Sequence, residues 1–186
     1  MKIYEIKPEL DKIQNILPVD ENDYALLDFA GQPKLSGWEP INFYIFNPLR
    51  KKANFFILAS NSGALVMDEL AMYELSSYFG LAGELLPIIL EDGTKLYILN
   101  VVEVANSLNK EKTEFDYYDD GTRGRILKPI FHDNRFPESS IFKIPETVKT
   151  TVLTYSGVKD PNDEFITAYK QSGLTGLIFN ELYSNE

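Results

Sequence analysis

A chain of 186 residues and 21.2 kDa, 44% of them hydrophobic, is long enough to bury roughly 70% of its unfolded surface, which excludes disorder for most of it. Eighteen basic residues against 28 acidic ones leave a formal charge of −10 and a pI near 4.7, which repels a polyphosphate backbone and argues against nucleic-acid binding. The absence of cysteine excludes disulfides, thiolate zinc sites, iron–sulfur clusters and cysteine nucleophiles, and fits a reducing compartment.

The first sixty residues read as short strands between turns. Lys2 to Ile6 alternates, Tyr24 to Phe29 is an apolar run, Ile41 to Phe46 is rich in β-favouring residues, and Asn54 to Ala59 is a further strand. Pro18, Gly31, Pro33, Gly37, Pro40 and Pro48 break any longer pattern, so this part is expected to be a loop-rich layer. Leu65, Val66, Leu70, Tyr73, Tyr78 and Phe79 recur near the helical period with Gly80 as a stop, which predicts an amphipathic helix over 63–79. Met67 and Met72 belong to that pattern as gap fillers rather than cofactor ligands.

Leu85 to Glu91 and Thr94 to Val101 flank Asp92-Gly93, a signal for a two-residue type I′ hairpin. Its second arm, Leu96-Tyr97-Ile98-Leu99, is apolar at consecutive positions and should be a strand covered on both faces. Val102 to Leu108 reads as a short helix, and Phe115 to Phe131 as a hairpin with an exposed tip. Phe142 to Ile144 and Val152 to Tyr155 are two more strands. Asp160 as N-cap, Pro161 and Asp163 open a last helix that Gly173 stops, and Leu177-Ile178-Phe179 supplies a closing strand. The fold class is therefore α+β, a mostly antiparallel sheet with a few packed helices. It spans 1–186 as a single globular domain, or as a loop-rich half 1–60 packed on 61–186.

No catalytic signature stands out. His132, the sole histidine, lacks a nucleophile-elbow serine, and an end-of-strand histidine bonded to backbone is the plainer reading. Asp116-Tyr117-Tyr118-Asp119-Asp120-Gly121 has the acids of a calcium loop, but its third and twelfth positions would be Tyr118 and Leu127, so the ligand pattern fails. Gly121-Thr122-Arg123-Gly124 and Gly173-Leu174-Thr175-Gly176 lack the lysine and helix of a phosphate loop and read as turns. A carboxylate pair for glycoside hydrolysis has no motif to support it. Trp38, between turn residues, reads as a core anchor whose indole N–H meets backbone. Tyr117 and Tyr118, flanked by Asp116, Asp119 and Asp120, are the best candidates for exposed recognition; the plainer alternative buries one tyrosine and leaves the other as ordinary surface.

Gly83-Glu84-Leu85-Leu86-Pro87, Tyr97-Ile98-Leu99-Asn100-Val101-Val102, Ile141-Phe142-Lys143-Ile144-Pro145, and the run Phe165 to Phe179 with its Gly173-Leu174-Thr175-Gly176-Leu177 turn form one succession. Together they resemble the eleventh immunity-protein family of bacterial polymorphic toxin systems, first catalogued as a domain of unknown function. The likeness covers about residues 80–180, with Trp38-Glu39-Pro40 as an extension towards the N-terminus. It implies a small α+β protein that binds and neutralises a cognate toxin domain without catalysis, and it carries over no toxin-contacting residue. An acidic surface would suit a basic toxin, with Asp116, Tyr117, Tyr118, Asp119 and Asp120 as the expected contact loop. The alternatives are an enzyme using carboxylates or His132, and a small-ligand or assembly module. No cofactor is expected. The start Met1-Lys2-Ile3-Tyr4-Glu5 lacks a secretory pattern and no stretch reaches a membrane span, so a cytoplasmic location without membrane contact is expected.

Overall fold

β6 (Gly83–Leu90) and β7 (Lys95–Val101) pair antiparallel from Gly83↔Val101 to Ile89↔Lys95 in the computed structural model, which describes residues 1–58 and 63–185. Their turn has three residues. Gly93 N–H donates to Leu90 O at 2.8 Å, Leu90 N–H donates to Thr94 O at 2.8 Å, and Gly93 alone takes positive φ (84°). This is a type I turn closed by a bulge rather than the type I′ turn expected; Asp92 avoids the left-handed region because its carboxylate accepts from Thr94 N–H at 2.8 Å.

The pair belongs to a closed barrel of β2 (Asn15–Pro18), β3 (Ile41–Ile45), β4 (Phe55–Leu58), β5 (Ala64–Asp68), β6 and β7, in the order β2-β3-β6-β7-β5-β4. Leu86, Ile88 and Leu90 of β6 and Leu96 and Ile98 of β7 join Phe43, Phe56 and Val66 in one core cluster. Leu99 and Val101 turn outward into a second cluster, so β7 is covered on both faces as its apolar run predicts.

β1 (Lys2–Pro8) crosses to a four-stranded sheet ordered β10-β11-β1-β12, with β10 (Ile141–Phe142), β11 (Leu153–Ser156) and β12 (Leu177–Ser184). Between this sheet and the barrel sit α1 (Glu69–Glu74), α2 (Ser76–Ala82) and α3 (Phe165–Ser172). Phe165 and Tyr169, four apart on α3, meet Phe79, Phe55 and Phe179 at ring distances of 5.2 to 6.3 Å. Burying an aromatic of this kind contributes roughly 2–3 kcal/mol. The architecture is α+β, mostly antiparallel with a few helices. The barrel takes β2, β3 and β4 from the first sixty residues and the rest from beyond; Ala59 and the 60/61 division lie outside the described residues.

Several expected elements differ. Residues 64–68 form strand β5, not a helix, because Ala64 and Val66 face the barrel interior while Leu65 and Met67 face the outer cluster, a period of two. The helix starts only after Asp68, whose carboxylate accepts from Ala71 N–H at 2.8 Å. Gly80 lies inside α2 rather than closing it; Gly83 does so. Met67 and Met72 pack in the core. Tyr24–Phe29 is not a strand: a 3-10 turn, Glu21–Leu26, capped by Asp20, leads to the buried Leu27 and Phe29. Residues 102–108 are extended rather than helical, since Ala105 N–H and Lys143 N–H exchange bonds across to Lys143 O and Glu103 O, at 2.9 Å each. Asp160 caps a 3-10 turn, Pro161–Asp163, so α3 itself begins at Phe165; Gly173 ends it at φ 73°.

Candidate functional site

β8 (Glu114–Tyr117) and β9 (Arg123–Lys128) form a two-stranded arm that pairs with no other described strand. Its tip repeats the turn chemistry of β6–β7. Gly121 N–H donates to Tyr118 O and Tyr118 N–H to Thr122 O, each at 2.9 Å; Gly121 has φ 80°, and Asp120 accepts from Thr122 N–H at 2.8 Å. Those bonds from Thr122 hold the Asp120 carboxyl below its ordinary range. Asp116 is also engaged: Arg125 Nε donates to it at 3.1 Å, and its other oxygen lies against Gly124, where an added Cβ would stand 2.2 Å away. Asp119 is the one acid of the expected contact loop without such a role.

Phe115 and Ile126 face each other across the arm and pack on the cluster of Phe131, Phe142 and Tyr155, with Arg123 over the Phe115 ring at 5.1 Å. Register shifts between Glu114, Phe115 and Tyr117 break the simple alternation. Both tyrosines face solvent, Tyr117 (61% exposed) from the end of the shifted strand and Tyr118 (64%) from the turn, rather than one being buried. Four acids and three bases share residues 114–128, so the arm is nearly balanced in charge. A hollow of about 500 Å³ lies between the arm, at Tyr118 and Arg123 to Ile126, and the turn at 146–148, where Glu146 pairs with Lys110 at 2.7 Å.

The other candidates have structural duties. The backbone N–H of His132 donates to Ser107 O at 2.9 Å, while Ser107 Oγ is buried without a hydrogen-bond partner among the described residues and so is not polarised by the imidazole. Trp38 Nε1 donates to Pro87 O at 3.0 Å and its ring stands 6.5 Å from Phe29, the core anchor expected. Thr175 O accepts from Asn54 N–H and Phe55 N–H at 3.1 Å each, and Gly176 packs against Phe55, so the Gly173–Gly176 turn clasps β4. Among carboxylates, Glu84 accepts from Lys34 N–H, Leu35 N–H and Asn100 Nδ2, and the buried Glu164 accepts from Val158 N–H and Lys159 N–H. Both fasten loops. Among the described residues no three His, Asp or Glu side chains converge as metal ligands, and no helix is long and apolar enough to cross a membrane.

Two features escaped the sequence reading. Lys143 is fully buried, its ammonium donating to Phe29 O at 2.5 Å beside Gly63 and Lys149 O. Burial pulls its pKa down from 10.5 to about 8, with Asp28 opposing the shift and Lys149 adding to it. The available signal was its place between the apolar Phe142 and Ile144. The second feature is the uneven charge: residues 19–40 carry five acids and one base, which counting by segment reveals.

The sequence matches no protein-family profile and no curated protein. The likeness to the immunity family therefore rests on the segments quoted above. Those segments serve the fold: Gly83 lets β6 approach β7, Lys143 is interior, and the Gly173–Gly176 turn is a clasp.

Proposed function

We propose that the protein is a cytoplasmic immunity protein that binds a basic toxin domain stoichiometrically and neutralises it without turnover. The observation that carries this reading is the β8–β9 arm, which pairs with no other described strand and presents Tyr117 and Tyr118 to solvent. Tyrosine supplies large contact area with few rotatable bonds and is enriched among the residues that dominate binding energy. The charge of −10 favours encounter with a basic partner, and the family resemblance points the same way. The test is co-expression with the toxin candidate encoded beside the gene. Cells carrying both are expected to grow and cells carrying the toxin alone to stop; growth arrest in both would reject the reading.

A further inference from the structure

Part of the acidic excess lies where the chain caps one end of the barrel. Between β2 and β3, residues 19–40 hold Asp20, Glu21, Asp23, Asp28 and Glu39 against Lys34 alone. The cap is firmly tied down. Leu27 and Phe29 are buried in the barrel cluster, Glu84 accepts from Lys34 N–H at 2.7 Å, Asn100 Nδ2 donates to Gln32 O at 2.8 Å, and Trp38 is fixed to Pro87 O. Between these anchors opens a cleft of about 390 Å³ whose lining includes Asp23, Leu26, Lys34, Trp38, Glu39 and Asn42. Val19, Tyr24, Leu26 and Leu35, in the same segment, are exposed apolar side chains.

The chemistry of that lining selects an occupant. The Asp23 and Glu39 carboxylates have no hydrogen bond or ion pair with a described residue, whereas Lys34 is held over the Phe29 ring at 5.6 Å. With its N–H already bonded to Pro87 O, Trp38 offers the cleft its π-system rather than a donor. With the Lys34 ammonium turned to the Phe29 ring, an alkyl chain ending in a cation matches the carboxylates and the indole: its stem can lie on Leu26 and Trp38, and its head can meet the Trp38 ring and the Asp23 and Glu39 carboxylates. An anion would meet two unpaired acids, and a neutral apolar group would strip them of water with nothing in return.

We infer that this cleft receives an arginine or lysine side chain from a basic segment of the protein partner. The inference rests on the binding reading above and names a second contact surface for it. The turn at 145–149 touches both surfaces, since Val148 lines the hollow under the arm and the Lys149 side chain packs beside Gly31 of the cap.

Trp38 is the sole tryptophan, so its fluorescence reports on this cleft alone. Titration with a tetra-arginine peptide, blocked at both ends, is expected to change Trp38 emission saturably, and tetra-glutamate is expected to leave it unchanged. The Asp23→Asn/Glu39→Gln double variant, with melting temperature checked, should bind tetra-arginine about tenfold more weakly. Backbone amide shifts recorded in parallel locate the peptide. Shifts confined to residues 114–128 with unchanged Trp38 emission, equal affinity in the double variant, or no binding at all would each overturn the cleft assignment. The co-expression assay reads the binding function separately, so the two can fail independently.

Discussion

Two hairpins of this molecule are built on one turn and put to different ends. Leu90-Glu91-Asp92-Gly93-Thr94 and Tyr118-Asp119-Asp120-Gly121-Thr122 share the same backbone bonds, the same left-handed glycine and the same aspartate-to-threonine clasp. β6 and β7, however, each gain a second neighbour in the barrel, β3 and β5, and bury side chains on two faces. Among the described residues β8 and β9 gain none, and of their side chains only Phe115 and Ile126 are drawn into a core cluster. Local sequence sets the turn, and the neighbouring strands decide whether its side chains become core or remain available to a partner.

Glycine replacements should separate the hairpins most strongly. At Gly83 in β6 an added Cβ would stand 1.9 Å from Asn100 O, a backbone atom held in the barrel, so Gly83→Ala is expected to cost about 3 kcal/mol in chemical denaturation. At Gly124 in β9 the obstacle is the Asp116 carboxylate, which can swing away, so Gly124→Ala should lower global stability by less than about 1 kcal/mol. Equal losses would show the arm to be part of the cooperative core.

Lys143 sharpens the barrel side. Below pH 8 it is charged in the folded and unfolded states alike, so its burial penalty is constant there. Between pH 8 and 10.5 the folded protein gives up the proton first, the unfolded chain binds more protons, and stability rises with pH. Denaturation should show a gain of about 1.5 kcal/mol from pH 8 to ~9.5 that Lys143→Met abolishes. The window stops there because Tyr155, pushed up to about 12 by burial, loses stability as pH climbs from 10. A slope unchanged in Lys143→Met would remove the lysine from the account.

On the arm side, Tyr117→Ala and Tyr118→Ala should each leave stability within about 0.5 kcal/mol and weaken partner binding by about 2 kcal/mol, measured by melting and by calorimetry. Smaller still are the two turn aspartates. Both carboxyls are held below 3.8 by Thr94 and Thr122, so their support is present above that pH and fades as pH falls through the folded values. Asp92→Ala should register in global unfolding, whereas Asp120→Ala should register only as faster amide exchange at the arm tip.

What the sequence made legible was whatever depends on neighbours in the chain. β1, the β6–β7 hairpin, the arm and the stop at Gly173 all follow from alternation and turn residues. β5 reads as helix in the sequence because Leu65, Val66, Leu70 and Tyr73 also satisfy a helical period, and the two cores on its flanks settle the matter. The extended course of 102–108 depends on the distant Lys143 and Phe131. At the contact loop, the exposure of the tyrosines was partly legible. The Arg125 bond that occupies Asp116 requires the strand register. Lys143 needs Phe29, Gly63 and Lys149 to meet, which no local pattern announces.

The central claim is that the unpaired arm acts by contact. Its most direct test places the Tyr117→Ala/Tyr118→Ala protein, shown to melt with the wild type, beside the wild type in toxin-expressing cells. The account predicts rescue by the wild type and growth arrest with the variant at equal expression. Full rescue by the variant would contradict it.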